Sequence, residues 1–211
     1  MPIRRGGKPA QRFKQFQNLK MKSDRYGQSR VLETHQLDLL ISNLPNHHHK
    51  IVAEVCRRTG CRVGEATQLT WGMISESAIT FQRGITKGKL ASRSVPVTPQ
   101  MWLALQNWRK VWVHRQGRNP VASDYLVPGR FVSSNLSTRS FMDALEKAAT
   151  KSGLDGVSSH SFRRSALTSA HSSGVPLRVL MALSGHKSMS ALQRYLEVTP
   201  AQREAAAASF A

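Results

Sequence analysis

Three short segments carry residue types suited to handling phosphate. In Thr59-Gly-Cys-Arg-Val-Gly-Glu-Ala66, Arg62 sits between two glycines at a helix-to-helix turn, with Glu65 three positions on to orient its guanidinium. In His160-Ser-Phe-Arg163 the imidazole and the guanidinium are three residues apart, so on a helix they project from one face. Gly185 permits a tight turn that ends one helix, which puts His186 at the turn and Tyr195, nine residues later, on the next helix. Each segment alone has a structural reading. Arg62 can be a surface partner of Glu65, His160 a helix-start group, and Tyr195 a core residue beside Met189, Leu192 and Leu196. Together two arginines, two histidines, a candidate lysine and a tyrosine make a phosphate-binding constellation with a nucleophile.

The elements that must hold these residues read as mostly helical. Thr34 can cap a helix lined by Leu37, Leu40, Ile41 and Leu44 and ended by Pro45. A second helix is expected over 47–58, stopped by Gly60, and a short third begins over 65–69. From Ala78 the texture changes to short β-branched runs broken by Gly84 and Gly88, which predicts a small antiparallel hairpin or meander closed by Pro96 and Pro99. Further helices are expected at 99–115, 138–151, 161–173, 176–184 and 188–197, with an Ala-rich helical tail over 199–211. The fold class is therefore mainly α with a small antiparallel β-sheet, an α+β domain over 31–198.

Composition narrows the partner. The chain has 211 residues with a net charge of +19, and its 40% hydrophobic and 20% charged content exclude disordered and collagen-like classes. A chain this long buries roughly 70% of its extended surface, enough for a core without staples. An excess of positive charge this large points to a polyanion, nucleic acid first, because self-repulsion persists where something neutralises it. A membrane partner is not expected, since no basic amphipathic helix stands out and no apolar run approaches the roughly 20 residues of a span. No apolar stretch follows the basic N-terminus as in a secretory signal, so a cytoplasmic protein is expected. Residues 1–30 hold nine basic side chains against Asp24 alone, and read as a basic arm. Cys56 and Cys61 are too few for a disulfide framework and are expected reduced and semi-buried. The run His47-His48-His49 reads as a solvated helix start.

Four stretches carry a family resemblance: TGCRVGEATQLTW at 59–71, TKGKLASRSVPV at 86–97, HSFRRSALT at 160–168 and LSGHKSMSALQRYLEV at 183–198. In order and spacing the sequence resembles the tyrosine recombinase, or phage integrase, family over about residues 31–200. The resemblance implies a mostly helical catalytic domain that cuts and rejoins DNA through a 3′-phosphotyrosyl intermediate. It also implies that Arg62 and Arg163 clamp the phosphate, that His160 and His186 are the active-site histidines, and that Tyr195 is the nucleophile. A hairpin lysine would be the general acid: Lys87, which follows Thr86, is favoured over Lys89 two positions on. Arginines suit a phosphodiester because they hold nonbridging oxygens bidentately and stabilise the charge of the transition state. Tyrosine, with a free pKa of about 10, needs nearby cations and a histidine to lose its proton.

No carboxylate cluster suited to Mg²⁺ is visible, so no metal and no cofactor are expected. The resemblance implies double-stranded DNA as partner and a homo-oligomer, a tetramer, assembled on it. Arg164 stands where many relatives carry histidine; it reads as a DNA-backbone contact without a catalytic role. Most relatives carry a helical DNA-clamping domain of about 80–100 residues before the catalytic one. The roughly 30 residues here suggest a minimal recombinase without it, or a fragment. A non-cutting DNA-binding regulator of the same fold and a type IB topoisomerase are the competing readings.

Overall fold

Helix starts and stops follow local chemistry in the computed structural model, which describes residues 27–86, 88, 91–131, 133–198 and 200–210. The arm up to residue 26, the two hairpin lysines Lys87 and Lys89, and Thr199 at the start of the tail lie outside the described residues. Helix α1 (Thr34–Ser42) starts at the expected cap rather than after it: Glu33, not Thr34, takes the cap position, in a reciprocal pair with Gln36. Helix α2 (His47–Thr59) is capped by the Asn46 side chain and stopped by Gly60 at φ 62°. One helical turn, α3 (Val63–Ala66), follows directly and makes Arg62 its first flanking residue.

The sheet is a single antiparallel pair, β1 (Ala78–Phe81) and β2 (Arg93–Pro96), in register Ala78 to Pro96. Thr98 and Pro99 then start α4 (Pro99–Gln116), whose Trp108 and Trp112 bury their rings and donate indole N–H bonds to the Leu126 and Tyr125 carbonyls. Next come α5 (Thr138–Lys151), α6 (Ser159–Ser172) and α7 (Leu177–Ser184), the last closed by Gly185 at φ 69°. They are followed by α8 (Met189–Gln193) and α9 (Pro200–Ala208).

Two cores result. The larger gathers Leu40, Val52, Leu69, Ile79, Phe81, Trp112, Phe141 and Phe162, with α2 packed against α4 and α6. The smaller joins Leu167, Leu180 and Leu192 and receives Tyr195 and Leu196 on its flank. Helix α6 therefore serves both: Phe162 anchors it in the first core and Leu167 in the second, with Arg163 between them.

Three expectations change. The histidine run is not solvated throughout: His49 is buried, and the His48 ring stands edge-on to Trp108 with Arg115 Nη1 2.7 Å from its Nδ1. Burial, then the Arg115 charge, pulls His48 down to about 4, so it is a neutral contact between α2 and α4. Cys56 and Cys61 are free thiols, 4.0 Å apart and fully buried rather than semi-buried. The element expected over 188–197 is helical only to Gln193, which leaves Tyr195 in the turn beyond it.

Candidate active site

The first arginine is set by its own turn. The Arg62 amide donates to Glu65 Oε2 at 2.9 Å and its Nη1 to Oε1 at 3.2 Å. Glu65 is buried, so it needs compensation. It receives it twice, since Arg93 Nη2 also donates to Oε2 at 2.6 Å. Burial alone would raise the Glu65 carboxyl; hydrogen bonds from Arg93 and the Arg62 amide, with both guanidinium charges, hold it below its ordinary value instead. Glu65 is thus a fixed anion that aims Arg62 at a cleft.

Arg163 is fully buried. Its Nη1 donates to the Gly60 carbonyl at 2.6 Å and its Nη2 to the Ser184 carbonyl at 2.8 Å, tying the Arg62 turn to the end of α7. Burial and the repulsion of Arg62 bring it down to about 10, which leaves it cationic at neutral pH. His186 completes this corner, with Nε2 3.1 Å from Arg163 Nη2 and Nδ1 2.7 Å from Ser184 Oγ. Arginine can only donate, so Nε2 accepts and Nδ1 carries the proton toward Ser184, which itself donates to the Leu180 carbonyl. Burial and the Arg163 charge lower His186 to about 4.

That depression has a measurable sign. Free histidine takes up its proton near 6.5, whereas His186 and His48 in the fold do so near 4. Between those values the unfolded chain binds more protons, so stability falls as pH drops through that window. The melting temperature should decrease from pH 7 to pH 5, and His186→Asn should lessen the decrease, while His48 and His49, the latter also lowered by burial, contribute to what remains. An undiminished decrease in the variant would overturn the assignment.

Tyr195 faces this corner from the turn after α8. Its ring lies 4.9 Å from the His186 ring, and the Arg163 guanidinium carbon is 5.3 Å from it. Its hydroxyl meets His160 Nδ1 at a loose 3.4 Å. A cleft of about 450 Å³ opens in front, lined by Arg62, Glu65, Gln68, Thr86, His160 and Arg163 among others. The structure therefore brings Arg62, His160, Arg163, His186 and Tyr195 together. Of the hairpin, Thr86 lines the cleft, and Gly88, at φ 82°, lies so near the turn between α7 and α8 that a Cβ there would come to 3.4 Å from Lys187 Nζ. Among the described residues no three His, Cys, Asp or Glu side chains converge as metal ligands would.

Two arginines differ from the sequence reading. Arg93 carried no assignment, yet it joins three segments: it leaves β2, donates twice to Glu65, gives Nε to the Leu183 carbonyl at 3.0 Å, and stacks over Phe81. Its signal was phase, because strand alternation puts residue 93 on the same side as buried Val95. Arg164, read as a DNA-backbone contact, is instead buried and pairs with Glu197 at 2.9 Å.

Arg62, His160 and Arg163 line one cleft and His186 and Tyr195 pack against Arg163 beside it, on a mainly helical domain with a two-stranded sheet; the set has the chemistry to bind a phosphate. The phage integrase family model matches residues 30–202, and the chain belongs to that family. It is 34% identical over 155 residues to the tyrosine recombinase XerC of Pediococcus pentosaceus, a match covering 70% of this chain and 49% of that protein. It is 27% identical over 191 residues to a resolvase of Escherichia coli K12, covering 77% of this chain and 69% of that one. The XerA recombinase crystal structure superposes with a TM-score of 0.69 at 20% identity, over 87% of this chain and 64% of that one. The catalytic domain of bacteriophage HP1 integrase does so at 0.59 and 18% identity, over 85% and 94%. The chain spans about half the length of the XerC relatives it matches.

Proposed function

We propose that this chain is a site-specific DNA recombinase that cuts and rejoins double-stranded DNA through a 3′-phosphotyrosyl intermediate. The observation that carries the reading is the convergence of Tyr195 with Arg62, Arg163, His160 and His186. Arg62 and Arg163 neutralise a phosphodiester in the cleft and its transition state. The Tyr195 oxygen attacks phosphorus while its proton passes toward His160, the 5′ oxygen leaves, and the phosphoester bond moves to tyrosine. The leaving oxygen takes its proton from a hairpin lysine, Lys87 or Lys89, both outside the described residues. Because the ester conserves the bond, reversal with a new 5′ hydroxyl rejoins strands without ATP. Neutral His186 acts as a hydrogen-bonding group on Arg163.

The test is a nicked duplex whose cleavage releases a short strand, trapping protein on DNA. A covalent adduct is expected; binding without one would indicate a regulator. Relaxation of supercoils with no exchange between two sites would indicate a topoisomerase. The same reading places residues 31–198 as the catalytic domain, in the cytoplasm; no helix among the described residues is long and apolar enough to cross a membrane.

Strand exchange needs two duplexes, so the reading includes four protomers in synapsis. Side chains 203–210 of the tail are exposed, which supports a contact with a neighbour over one with its own domain. Truncation after Val198 should reduce cooperative binding to a two-half-site duplex and spare single-site binding. Unchanged cooperativity would remove the tail from assembly.

The arm, residues 1–30, is proposed to lie along DNA phosphates. If about four of its cations make such contacts, its deletion should flatten the slope of log affinity against log salt by about 3 to 4 units. Preference for the cognate site should change little, because phosphate contacts position rather than specify. Titrations at several salt concentrations measure both, and an unchanged slope would exclude this role.

A further inference from the structure

Tyr195 lies beyond the end of α8, where its amide still bonds the Leu192 carbonyl at 2.8 Å, and side chains of α6 hold the backbone from Tyr195 to Glu197 on the other side. Thr168 Oγ1 donates to the Tyr195 carbonyl at 3.2 Å and receives the Glu197 amide at 3.3 Å. One turn earlier on the same helix, Arg164 gives Nη2 to Glu197 Oε1 at 2.9 Å. The other arm of that guanidinium, Nη1, donates to the carbonyl of Ser29. Ser29 belongs to the stretch that enters the domain from the N-terminal side, and that stretch is itself docked on α6. The Arg30 amide bonds the Gly156 carbonyl at 2.8 Å, the Leu32 amide bonds Ser165 Oγ at 2.8 Å, and Ser29 Oγ lies 2.5 Å from the α6 cap Ser158.

We propose that Arg164 is a positioning residue for the nucleophile. It clamps the turn Tyr195–Glu197 and the entering stretch Ser29–Leu32 onto one helix, so that seating of the entering stretch and readiness of Tyr195 form one equilibrium. A guanidinium suits the task because its planar fork reaches two acceptors at once, a carboxylate and a carbonyl, where an ammonium is a single point. Its side chain is 5% exposed and that of Glu197 49%. The anchored end is thus the arginine, and the carboxylate is the partner that can be changed with little harm to folding. The consequence for chemistry is geometric: a displacement of about 1 Å at a reacting group costs roughly 100-fold in rate.

The proposal rests on the recombinase reading, and its test separates the two. With the full chain, Arg164→Gln should slow single-turnover cleavage of the nicked duplex by about 10- to 100-fold. Affinity for the uncleaved site should change by less than about twofold, because Arg164 is buried against Glu197 and the phosphate contacts are made by other residues. Glu197→Gln should slow cleavage in the same direction, and the double variant should be no slower than Arg164→Gln alone, since both remove one linkage. Amide exchange at Arg30, Leu32 and Glu197 should accelerate together in Arg164→Gln. Wild-type cleavage in either variant, or multiplying defects in the double, would overturn the role. Faster exchange confined to one of the two stretches would overturn the linkage between them. Should Arg164→Gln not fold, Glu197→Gln still decides through its cleavage rate and its exchange at Arg30 and Leu32. A wild-type protein that forms no adduct would refute the recombinase reading, while the exchange measurements would still test the clamp.

Discussion

Tyr195→Phe is expected to bind a cognate half-site as the wild type does and to form no covalent protein–DNA adduct on a nicked duplex. The substitution removes one oxygen and keeps the ring. That ring rests on the smaller core beside Leu196, and its neighbours are the His186 ring at 4.9 Å and the Arg163 guanidinium. None of these contacts needs the hydroxyl. Its only side-chain partner among the described residues is His160 Nδ1, at 3.4 Å, a long contact whose loss costs little folding stability. Binding and melting should therefore be preserved while the chemistry is lost, because neither histidine nor arginine here supplies an alternative oxygen nucleophile. An adduct that survives the change would place the nucleophile elsewhere.

The second large effect is expected at the arginines, and the structure separates two contributions that a paired substitution would confuse. Removing one preorganised donor of transition-state charge slows a reaction by roughly 10²–10³. Arg62→Ala should show that loss nearly alone, because Glu65 retains Arg93 as its partner and the side chain of Arg62 is already 25% exposed. Arg163→Ala should show it together with a clear fall in melting temperature. It strips the Gly60 and Ser184 carbonyls of their donor inside the protein, at about 1–3 kcal/mol for each buried group left unsatisfied. Cleavage by the wild type should also persist in a chelator. Rate and binding measured side by side decide the matter: equal losses in both would make the arginines ordinary backbone contacts, and activity restored by added Mg²⁺ would refute a metal-free mechanism.

Much of this site was legible in the residues because its determinants are local. Gly60 and Gly185 mark the two turns, and the i, i+3 spacing of His160 and Arg163 sets them on one face. The β-branched runs after Ala78 became the hairpin for the same reason. What was not legible depends on distant partners. Arg93 meets Glu65 across 28 positions and Arg164 meets Ser29 across 135, and periodicity carries no information at that range. The end of α8 was misplaced on the same account. Ala191-Leu-Gln-Arg-Tyr-Leu-Glu-Val198 contains no glycine or proline to stop a helix; instead Thr168 from α6 captures the backbone at Tyr195 and Glu197, and Arg164 holds the Glu197 carboxylate.

The burial of both sulfurs has a practical side. Cys56 and Cys61 are the chain's two cysteines and neither shows any exposed surface. A maleimide dye added to the folded protein accordingly finds no native target, and a single cysteine placed at Ser209, which is exposed, becomes the sole labelling position. Fluorescence transfer between tails labelled there would test the proposed assembly of protomers on DNA, without first stripping the native thiols. Conversely, slow consumption of a thiol reagent by the unlabelled wild type would clock the opening of the helix pair α2 and α6, since only a local unfolding event uncovers either sulfur.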